Sequence, residues 1–235
     1  MRLGMTPARR RGVEFLDDPA TPRDVRDRSM ADVTRSNALF GATRAVIGAL
    51  RSVMPQLPKN ALLLDVGTGL GDIPAHAIRE ARRAGVSLKT IGLDVTESLL
   101  RTARSRLASV VVGDVLRLPF EDGAVDIVTC SQLLHHFVEG DARQVIAELH
   151  RVSRGFIVIG DLRRSWMAAG GFWLASFGLR FHPVTRHDGV TSVLRGFTAE
   201  ELEVLVRDVI GTAPTVRRGA FWRLSVTWSK HAART

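Results

Sequence analysis

Short apolar runs alternate with segments of helical periodicity through the middle of the chain. The runs that predict strands cover residues 61–66, 88–93, 110–112, 125–130 and 156–159. The segments that predict helices cover residues 73–84, 96–107 and 141–152. Continuous apolar strands separated by helices predict a parallel sheet that is covered on both faces.

The two ends of the chain depart from this alternation. Residues 30–53 repeat their apolar positions at helical spacing and predict one or two amphipathic helices behind a polar arm. Residues 214–217 and 221–228 alternate apolar and polar positions, as half-buried strands do. A tight turn at Arg218 and Gly219 would join them into an antiparallel hairpin.

We therefore predict a single α/β domain. Its fold is a Rossmann-like, seven-stranded, mostly parallel sheet with a C-terminal antiparallel hairpin, N-terminal helices and a helical lid insertion. Its segments are 1–58 (arm and first helices), 59–160 (alternating core), 161–197 (insertion without a clean period) and 198–235 (last helix and hairpin). Thr198, with Glu201 three residues later, is typical of a capping box and begins the last helix.

The composition is that of an ordinary globular protein. Of 235 residues, 45% are hydrophobic and 24% are charged, which argues against disorder. The lone Cys130 excludes an internal disulfide framework and zinc-ligand spacing, and it favours a reducing, cytoplasmic location. No signal peptide is evident. The charge-free apolar run 165–179 is too short to span a bilayer but leaves room for contact at a membrane surface.

The formal net charge of +9 has two interpretations. Arginine-rich surfaces can bind nucleic acid or anionic membranes. Here the arginines are spread along predicted helices, and no basic run is interleaved with aromatic residues. We favour a solvated surface charge and expect no nucleic-acid partner, with RNA methylation kept as an alternative.

The strongest motif is a glycine-rich turn between the first predicted strand and helix, LDVGTGLG at residues 64–71. Its G-x-G-x-G spacing differs from the G-x-G-x-x-G of pyrophosphate-binding turns. Asp65 would repel a pyrophosphate but attract a ligand that carries ammonium and sulfonium groups. Both features disfavour a nicotinamide dinucleotide.

With this motif, the chain resembles the class I S-adenosylmethionine-dependent methyltransferases, particularly the ubiquinone and menaquinone type. The resemblance extends to Asp94 at the end of the second strand, to the pair Gly113-Asp114, and to residues 118–137. It implies S-adenosylmethionine as the cofactor, with Asp94 accepting hydrogen bonds from the ribose hydroxyls and Asp114 from the adenine amino group. The implied cofactor-binding residues are Asp65, Gly67, Thr68, Gly69, Gly71, Asp94, Val95, Gly113, Asp114, Val115, Cys130 and Ser131.

Three histidines are candidates for a base that deprotonates a phenol or enol acceptor. His187 leads, because it lies among polar residues in the insertion where this family builds its acceptor lid. His135 and His136 follow the fourth strand at the mouth of the expected crevice. Since adjacent helical residues point about 100° apart, we expect at most one of this pair to face the ligand.

The insertion also supplies the predicted acceptor site. Its aromatic residues predict an apolar pocket, with ordinary lid packing as the alternative, and nearby polar residues predict orienting contacts. The predicted substrate-binding residues are Trp166, Trp173, Phe177, Arg186, Ser192 and Arg195. Asp161 could hold a divalent ion, but the sequence offers it no evident partners, so we predict no metal.

The predicted function is methyl transfer to a small apolar aromatic, quinone-like or polyketide metabolite of secondary metabolism, most simply on oxygen. The alternatives are an RNA methyltransferase and a noncatalytic cofactor-binding protein. Salt-sensitive retention of RNA would identify the first alternative, and binding of the cofactor without turnover would identify the second.

Overall fold

A seven-stranded sheet organises the part of the chain that the computed structural model describes, residues 6–18 and 20–230. The strand order is β3-β2-β1-β4-β5-β7-β6. The strands are β1 Asn60–Val66, β2 Ser87–Asp94, β3 Ser109–Val112, β4 Val125–Ser131, β5 Ser153–Leu162, β6 Thr215–Gly219 and β7 Arg223–Ser229. The strands β1 to β5 are parallel, and β7 is antiparallel to both β5 and β6. The predicted fold class is confirmed.

Helices cover both faces of this sheet. They are α1 Arg23–Leu39, α2 Ala42–Val53, α3 Asp72–Arg83, α4 Glu97–Ala103, α5 Glu139–Val152, α6 Trp166–Gly178, α7 Pro183–Arg195 and α8 Ala199–Ile210. One core lies between the sheet and helices α5 and α8, where Leu64 and Val66 of β1 are fully buried. A second core lies between the opposite face and helices α2 and α3, where Leu63 is buried. Successive side chains of β1 therefore point to opposite faces and enter both cores, as expected for a strand that is covered on both faces.

The N-terminal region is more helical than predicted. Helix α1 begins at Arg23, seven residues before the predicted start, in a stretch whose side chains are mostly polar. Gly41, with φ of +75°, separates α1 from α2 and settles the number of helices at two. The early start was missed because a polar helix lacks an apolar stripe.

The polar segment around His187 is part of helix α7, within the insertion that was predicted to be helical. The hairpin differs in detail from the prediction. Gly219 is the last residue of β6, and the turn follows it, with φ of +52° at Phe221 and +54° at Trp222. Glycine was the natural prediction for a turn, but two aromatic residues adopt the left-handed conformation here.

The capping box at Thr198 is present, because its side chain accepts from the Glu201 backbone and the Glu201 side chain accepts from Thr198. The four-segment division stays a prediction, and residues 1–5, 19 and 231–235 lie outside the described part of the chain. Within that part, no helix is both long enough and apolar enough to cross a membrane.

Candidate functional site

A cavity of about 510 Å³ opens at the carboxyl ends of β1, β2 and β4. In a parallel sheet these strand ends are where ligands bind. The glycine-rich turn and Asp94 line one side of the cavity. Helix α1, helix α7, the loop after β4 and the N-terminal arm line much of the rest. The cavity therefore joins the predicted cofactor residues to segments that lie far away in the sequence.

The glycine-rich turn is held open by its backbone. The N–H groups of Gly67 and Thr68 both donate to the Leu93 carbonyl, at 2.8 and 3.0 Å. Gly67 has φ of +69°, and a Cβ atom there would lie 2.9 Å from Leu133. Gly69 has φ of +53°, and a Cβ atom there would meet no atom within 4 Å. The turn thus needs glycine at both positions, and it leaves free space above Gly69 for a ligand.

Asp94 fixes the glycine-rich turn relative to β2. Its Oδ2 accepts from the Gly69 N–H and its Oδ1 accepts from the Thr96 N–H, both at 2.9 Å. Each carboxylate oxygen can accept a second hydrogen bond. The half-buried carboxylate therefore has the capacity to bind a cis-diol, as the resemblance implies.

Asp65 is a buried carboxylic acid on the cavity wall. Its Oδ1 accepts from the Thr129 hydroxyl at 2.6 Å. Burial raises the pKa of Asp65 to about 6, with hydrogen bonding to Thr129 opposing the shift. A cationic ligand in the cavity would favour the ionised form. The Asp65 carboxylate therefore suits a ligand that carries positive charge.

Not every predicted cofactor residue reaches the cavity. Thr68, Val95 and Ser131 line it. Cys130 and Val115 are instead buried in the core on the α5 and α8 side of the sheet, because alternation turns Cys130 away from the face of Asp65. The side chains of Cys130 and Val115 therefore do not reach a ligand in the cavity, which corrects both predictions.

Three further predicted residues border the turn region without lining the cavity. Asp114 is exposed and its carboxylate accepts from the Leu116 N–H at 2.9 Å. The Gly113 N–H donates to the Asp94 carbonyl at 3.2 Å, which places this pair beside the end of β2. Gly71 precedes α3 with φ of +77° and faces Ala103, so its role is helix packing. The adenine contact of Asp114 stays a prediction.

His135 and Asp161 form a buried pair on the opposite wall. The Nδ1 of His135 lies 2.6 Å from Oδ1 of Asp161, and the His135 backbone N–H donates to Oδ2 at 2.9 Å. Burial opposes ionisation of Asp161, but His135 and the Leu162 N–H outweigh it and lower its pKa. An ionised acceptor fixes the proton on Nδ1, so that Nε2 is left as the basic nitrogen. This is the arrangement of an oriented general base.

His136 also lines the cavity, contrary to the expectation that only one of the pair would do so. The two residues lie on a short 3-10 turn, Leu134–His136, and not on an α-helix. Their rings lie 4.3 Å apart between centroids. Asp17 of the N-terminal arm lies 3.2 Å from His136 Nδ1 and orients this ring at the rim.

His187 lies on the wrong face of α7 to reach the cavity. The residues of α7 that line the cavity are Thr185, Asp188, Gly189, Ser192, Val193 and Arg195. Arg186, His187 and Val190 line a separate surface groove on the other side of the helix. His187 is half exposed, and its Nδ1 lies 2.9 Å from Asp188. The geometry thus makes His135, and not His187, the leading candidate for a base.

The predicted aromatic pocket is corrected in the same way. Trp166, Trp173 and Phe177 lie on the exposed side of α6, while Phe172 faces the cavity. Helical periodicity explains the division, because α6 has one buried and one exposed face. Of the predicted substrate-binding residues, only Ser192 and Arg195 line the cavity, whereas Arg186 lines the outer groove.

The N-terminal arm contributes a residue that the sequence analysis missed. Glu14 is buried, its Oε1 accepts from Ser192 at 2.8 Å and Arg195 at 3.1 Å, and it lies 4.0 Å from His135 Nε2. Burial raises the pKa of Glu14 despite these partners and His136. The backbone N–H groups of Phe15 and Leu16 anchor the arm by donating to Asp188. No motif distinguishes Glu14 in the sequence.

Arg223 is the second missed residue. It is buried at the start of β7 and lines the cavity. Its hydrogen bonds go to two neutral oxygens, the Phe40 carbonyl at 2.9 Å and Gln132 Oε1 at 3.0 Å. Burial lowers the pKa of Arg223 to about 10, with Asp161 opposing the shift. A buried cation with neutral partners is a ready binding group for an anionic oxygen.

The comparisons with known proteins agree with this geometry. Residues 63–155 match the family described as a methyltransferase domain. That segment begins within β1 and contains β2 to β4, the glycine-rich turn and Asp94. Residues 63–155 are therefore similar to a methyltransferase domain, and this segment is less than half of the chain.

Two relatives and one solved structure show how similar this chain is to known proteins. The demethylmenaquinone methyltransferase of Thermotoga maritima is 35% identical over 104 residues, which cover 43% of each chain. A ubiquinone/menaquinone biosynthesis C-methyltransferase of Cupriavidus metallidurans is 31% identical over 119 residues, which cover 47% of each chain. A methyltransferase structure from Aquifex aeolicus has a TM-score of 0.56 at 17% identity, covering 83% of this chain and 97% of that one. The chain thus spans less than half of the length of these two relatives.

S-adenosylmethionine is the cofactor that this likeness implies, and the residues present fit it. Asp65 supplies negative charge, Asp94 supplies free acceptor capacity, and the turn leaves open space above Gly69. A metal is a separate question. Glu14, His135 and His136 have potential ligand atoms within 4.8 Å of one another. Arg195 already places a positive charge against Glu14, and the absence of a metal stays a prediction.

Proposed function

We propose that the chain transfers the methyl group of S-adenosylmethionine to an acidic hydroxyl oxygen of a small apolar acceptor. The observation that carries the proposal is His135, which lines the same cavity as the glycine-rich turn and is paired with the buried Asp161. Asp161 holds the imidazole of His135 in one orientation. An oriented base fits an acceptor that must lose a proton before it attacks the methyl group.

The bound cofactor supplies an electrophilic methyl group on a sulfonium ion. The chain's residues hold and align the reactants, because an in-line displacement is accelerated chiefly by orientation and exclusion of water. The glycine-rich turn and Asp94 position the cofactor on the β1 and β2 side. Leu16, Val33, Leu133 and Phe172 give the cavity an apolar wall that suits an aromatic or quinone-like acceptor.

His135 accepts the acceptor's hydroxyl proton at Nε2. Asp161 keeps the other proton on Nδ1 and stabilises the imidazolium that forms. A positioned base of this kind contributes roughly 10²–10⁴ in rate. Asp161 is a positioning residue in this scheme, since it acts through His135.

Arg223 binds the oxyanion that proton removal creates. The guanidinium has neutral hydrogen-bond partners in the free protein, so an anionic oxygen would add a charge-assisted hydrogen bond. Arg223 pairs with Leu162, the residue after Asp161, which places base and cation at the same end of β5. This pairing favours acceptors with an acidic hydroxyl, such as phenols and enols, over neutral amines.

Methylation of carbon is the second candidate. The Cupriavidus relative is named a C-methyltransferase, and a phenolate carries negative charge on its ring carbons as well as on oxygen. The same base and arginine serve both outcomes, so that the acceptor's placement selects the atom.

A cytoplasmic location stays a prediction from the lone Cys130.

Incubation of the protein with methyl-labelled cofactor and a metabolite extract tests the proposal. We expect label in a small apolar product, and nuclear magnetic resonance then separates a methoxy group from a ring methyl group. Label in RNA would favour the nucleic-acid alternative. Binding of the cofactor without label in any fraction would contradict the proposal.

A further inference from the structure

One face of α6 is apolar and exposed to solvent. Its large side chains are between 44% and 66% exposed: Trp166, Met167, Trp173, Leu174 and Phe177. The other exposed positions on this face are glycines, and the 13 residues of the helix include no charged side chain. Soluble proteins rarely leave so many large apolar side chains together in water without a partner.

Basic groups border this face. The Arg10 guanidinium lies 5.0 Å from the Trp166 ring centroid, and that of Arg186 lies 3.5 Å from the Phe177 centroid. Between them a groove of about 480 Å³ runs along α6, α7 and the arm. Its charged or titratable lining residues, among those described, are Arg10, Arg186 and His187. The carboxylate beside His187, that of Asp188, is buried and turned to the arm.

We propose that the α6 face and its arginine-bordered groove bind the surface of an anionic lipid bilayer. The α6 face is defined by Trp166, Met167, Trp173, Leu174 and Phe177. Tryptophan and leucine enter the interface between head groups and acyl chains, while arginines pair with anionic head groups. This combination of a charge-free apolar helix with bordering cations is what interfacial binding requires.

A second copy of the chain fits this surface less well. A two-fold symmetric contact through the α6 face would place Arg10 and Arg186 of both copies at the rim of one interface. Like charges facing one another across an interface weaken it. An anionic bilayer instead neutralises the charge of both arginines, and it can cover the whole apolar face.

The α6 face also lies one helix away from the proposed acceptor site. Trp173 lines the outer groove, while its neighbour Phe172 lines the cavity. Phe172 packs so closely on α7 that a Cβ atom at Gly189 would lie 2.1 Å from its ring. An acceptor dissolved in a bilayer would therefore be held next to the wall of the cavity. Membrane binding itself does not depend on the proposed chemistry.

Flotation with lipid vesicles tests the proposal on the full chain. Vesicles of phosphatidylcholine with about one-third phosphatidylglycerol should bind the protein, and vesicles of phosphatidylcholine alone should bind it at least roughly tenfold more weakly. Tryptophan fluorescence should shift to shorter wavelength on binding, because Trp166 and Trp173 leave water. Free glycerol phosphate should not compete, because it offers no apolar phase.

The variant Leu174→Glu tests whether vesicle binding depends on the α6 face or is nonspecific adsorption. It places a carboxylate in the middle of the face, and we expect roughly a tenfold or greater loss of vesicle binding. Val204→Glu is the matched control, since Val204 is also an exposed apolar residue on a helix, α8, and should bind as the wild type does. Arg10→Gln should weaken binding to the anionic vesicles only.

Three results would overturn the proposal. The first is equal vesicle binding by Leu174→Glu and the wild type. The second is a wild-type chain that ignores both vesicle types. The third is a wild-type dimer that Leu174→Glu converts to a monomer in lipid-free buffer, which would assign the face to a second copy. Calorimetry with S-adenosylhomocysteine on each variant shows whether the cavity is intact, so that failure of membrane binding and failure of the proposed methyl transfer are distinguished.

Discussion

The two walls of the cavity were built in different ways. The cofactor wall consists of Asp65, the turn residues 67–69 and Asp94, which sit at the ends of two adjacent strands. The acceptor wall gathers Glu14 from the arm, His135 from the turn after β4 and Arg223 from β7, with Asp161 of β5 behind His135. A local motif specifies the first wall. The second exists only after the sheet, the hairpin and the arm have come together.

This difference implies different responses to mutation. Changes in the cofactor wall should lower affinity for S-adenosylmethionine, whatever the acceptor. Changes in the acceptor wall should lower turnover or acceptor affinity and leave cofactor binding intact. The predictions below use that separation, with calorimetric binding of S-adenosylhomocysteine as the common reference.

The largest effect is expected from His135→Asn. Asparagine can still donate to Asp161 but cannot accept the hydroxyl proton, so kcat should fall by roughly 10²–10⁴. Cofactor affinity should stay within a factor of about two. His187→Asn is the control and should leave kcat unchanged, because His187 lines the outer groove. Equal losses in both variants would remove His135 from the role of base.

Asp94→Ala should show the largest change on the cofactor wall. Losing charge-assisted hydrogen bonds of about 1.5–3 kcal/mol would weaken cofactor binding by roughly 10- to 100-fold. Asp141→Asn, which removes an exposed carboxylate from the first turn of α5, is the matched control. An unchanged dissociation constant in Asp94→Ala would contradict the proposed hydrogen bonds from the ribose hydroxyls to Asp94.

Arg223→Met should act on the acceptor. Methionine keeps much of the buried volume but cannot bind an oxyanion, so KM for the acceptor should rise about tenfold or more. The nearby exposed Arg217→Met serves as control. Because Arg223 also bonds to the Phe40 carbonyl, a thermal melt must first show that the variant is folded. An unaltered KM in a folded variant would assign Arg223 a purely structural role.

The smallest expected effect is a pH dependence of cofactor binding. Asp65 has a pKa of about 6 in the free protein, against an ordinary 3.8, so it is protonated below pH 6. A cationic cofactor favours the carboxylate, and its affinity should therefore fall as pH drops through 6, by up to about tenfold per unit. Asp65→Asn should flatten this profile. A wild-type profile that is flat between pH 5 and about 7 would contradict the assignment.

The same shift has a consequence for stability with a definite sign. The folded free protein holds the Asp65 proton more tightly than the unfolded chain does. The contribution of Asp65 to stability is therefore full at low pH and declines as pH rises from 3.8 to about 6. Cofactor binding should offset this loss above pH 6.

The fold itself was largely predictable. Short apolar runs predicted the five parallel strands, because strands of a sheet that is covered on both faces are mostly apolar. The polar helix α1 was missed over its first turns, since its side chains form no apolar stripe. The hairpin turn was misplaced because Phe221 and Trp222 take a conformation that composition assigns to glycine.

By itself, the sequence determined the sheet, the glycine-rich turn, Asp65 and Asp94, because each depends on neighbours a few residues away or on the end of a strand. Only the tertiary structure decided which face of α7 lines the cavity, and so excluded His187 in favour of His135. It alone brought Glu14 and Arg223 to the same site and turned Trp173 outwards. Side-chain direction and long-range contact arise from packing between distant segments, and no local pattern encodes them.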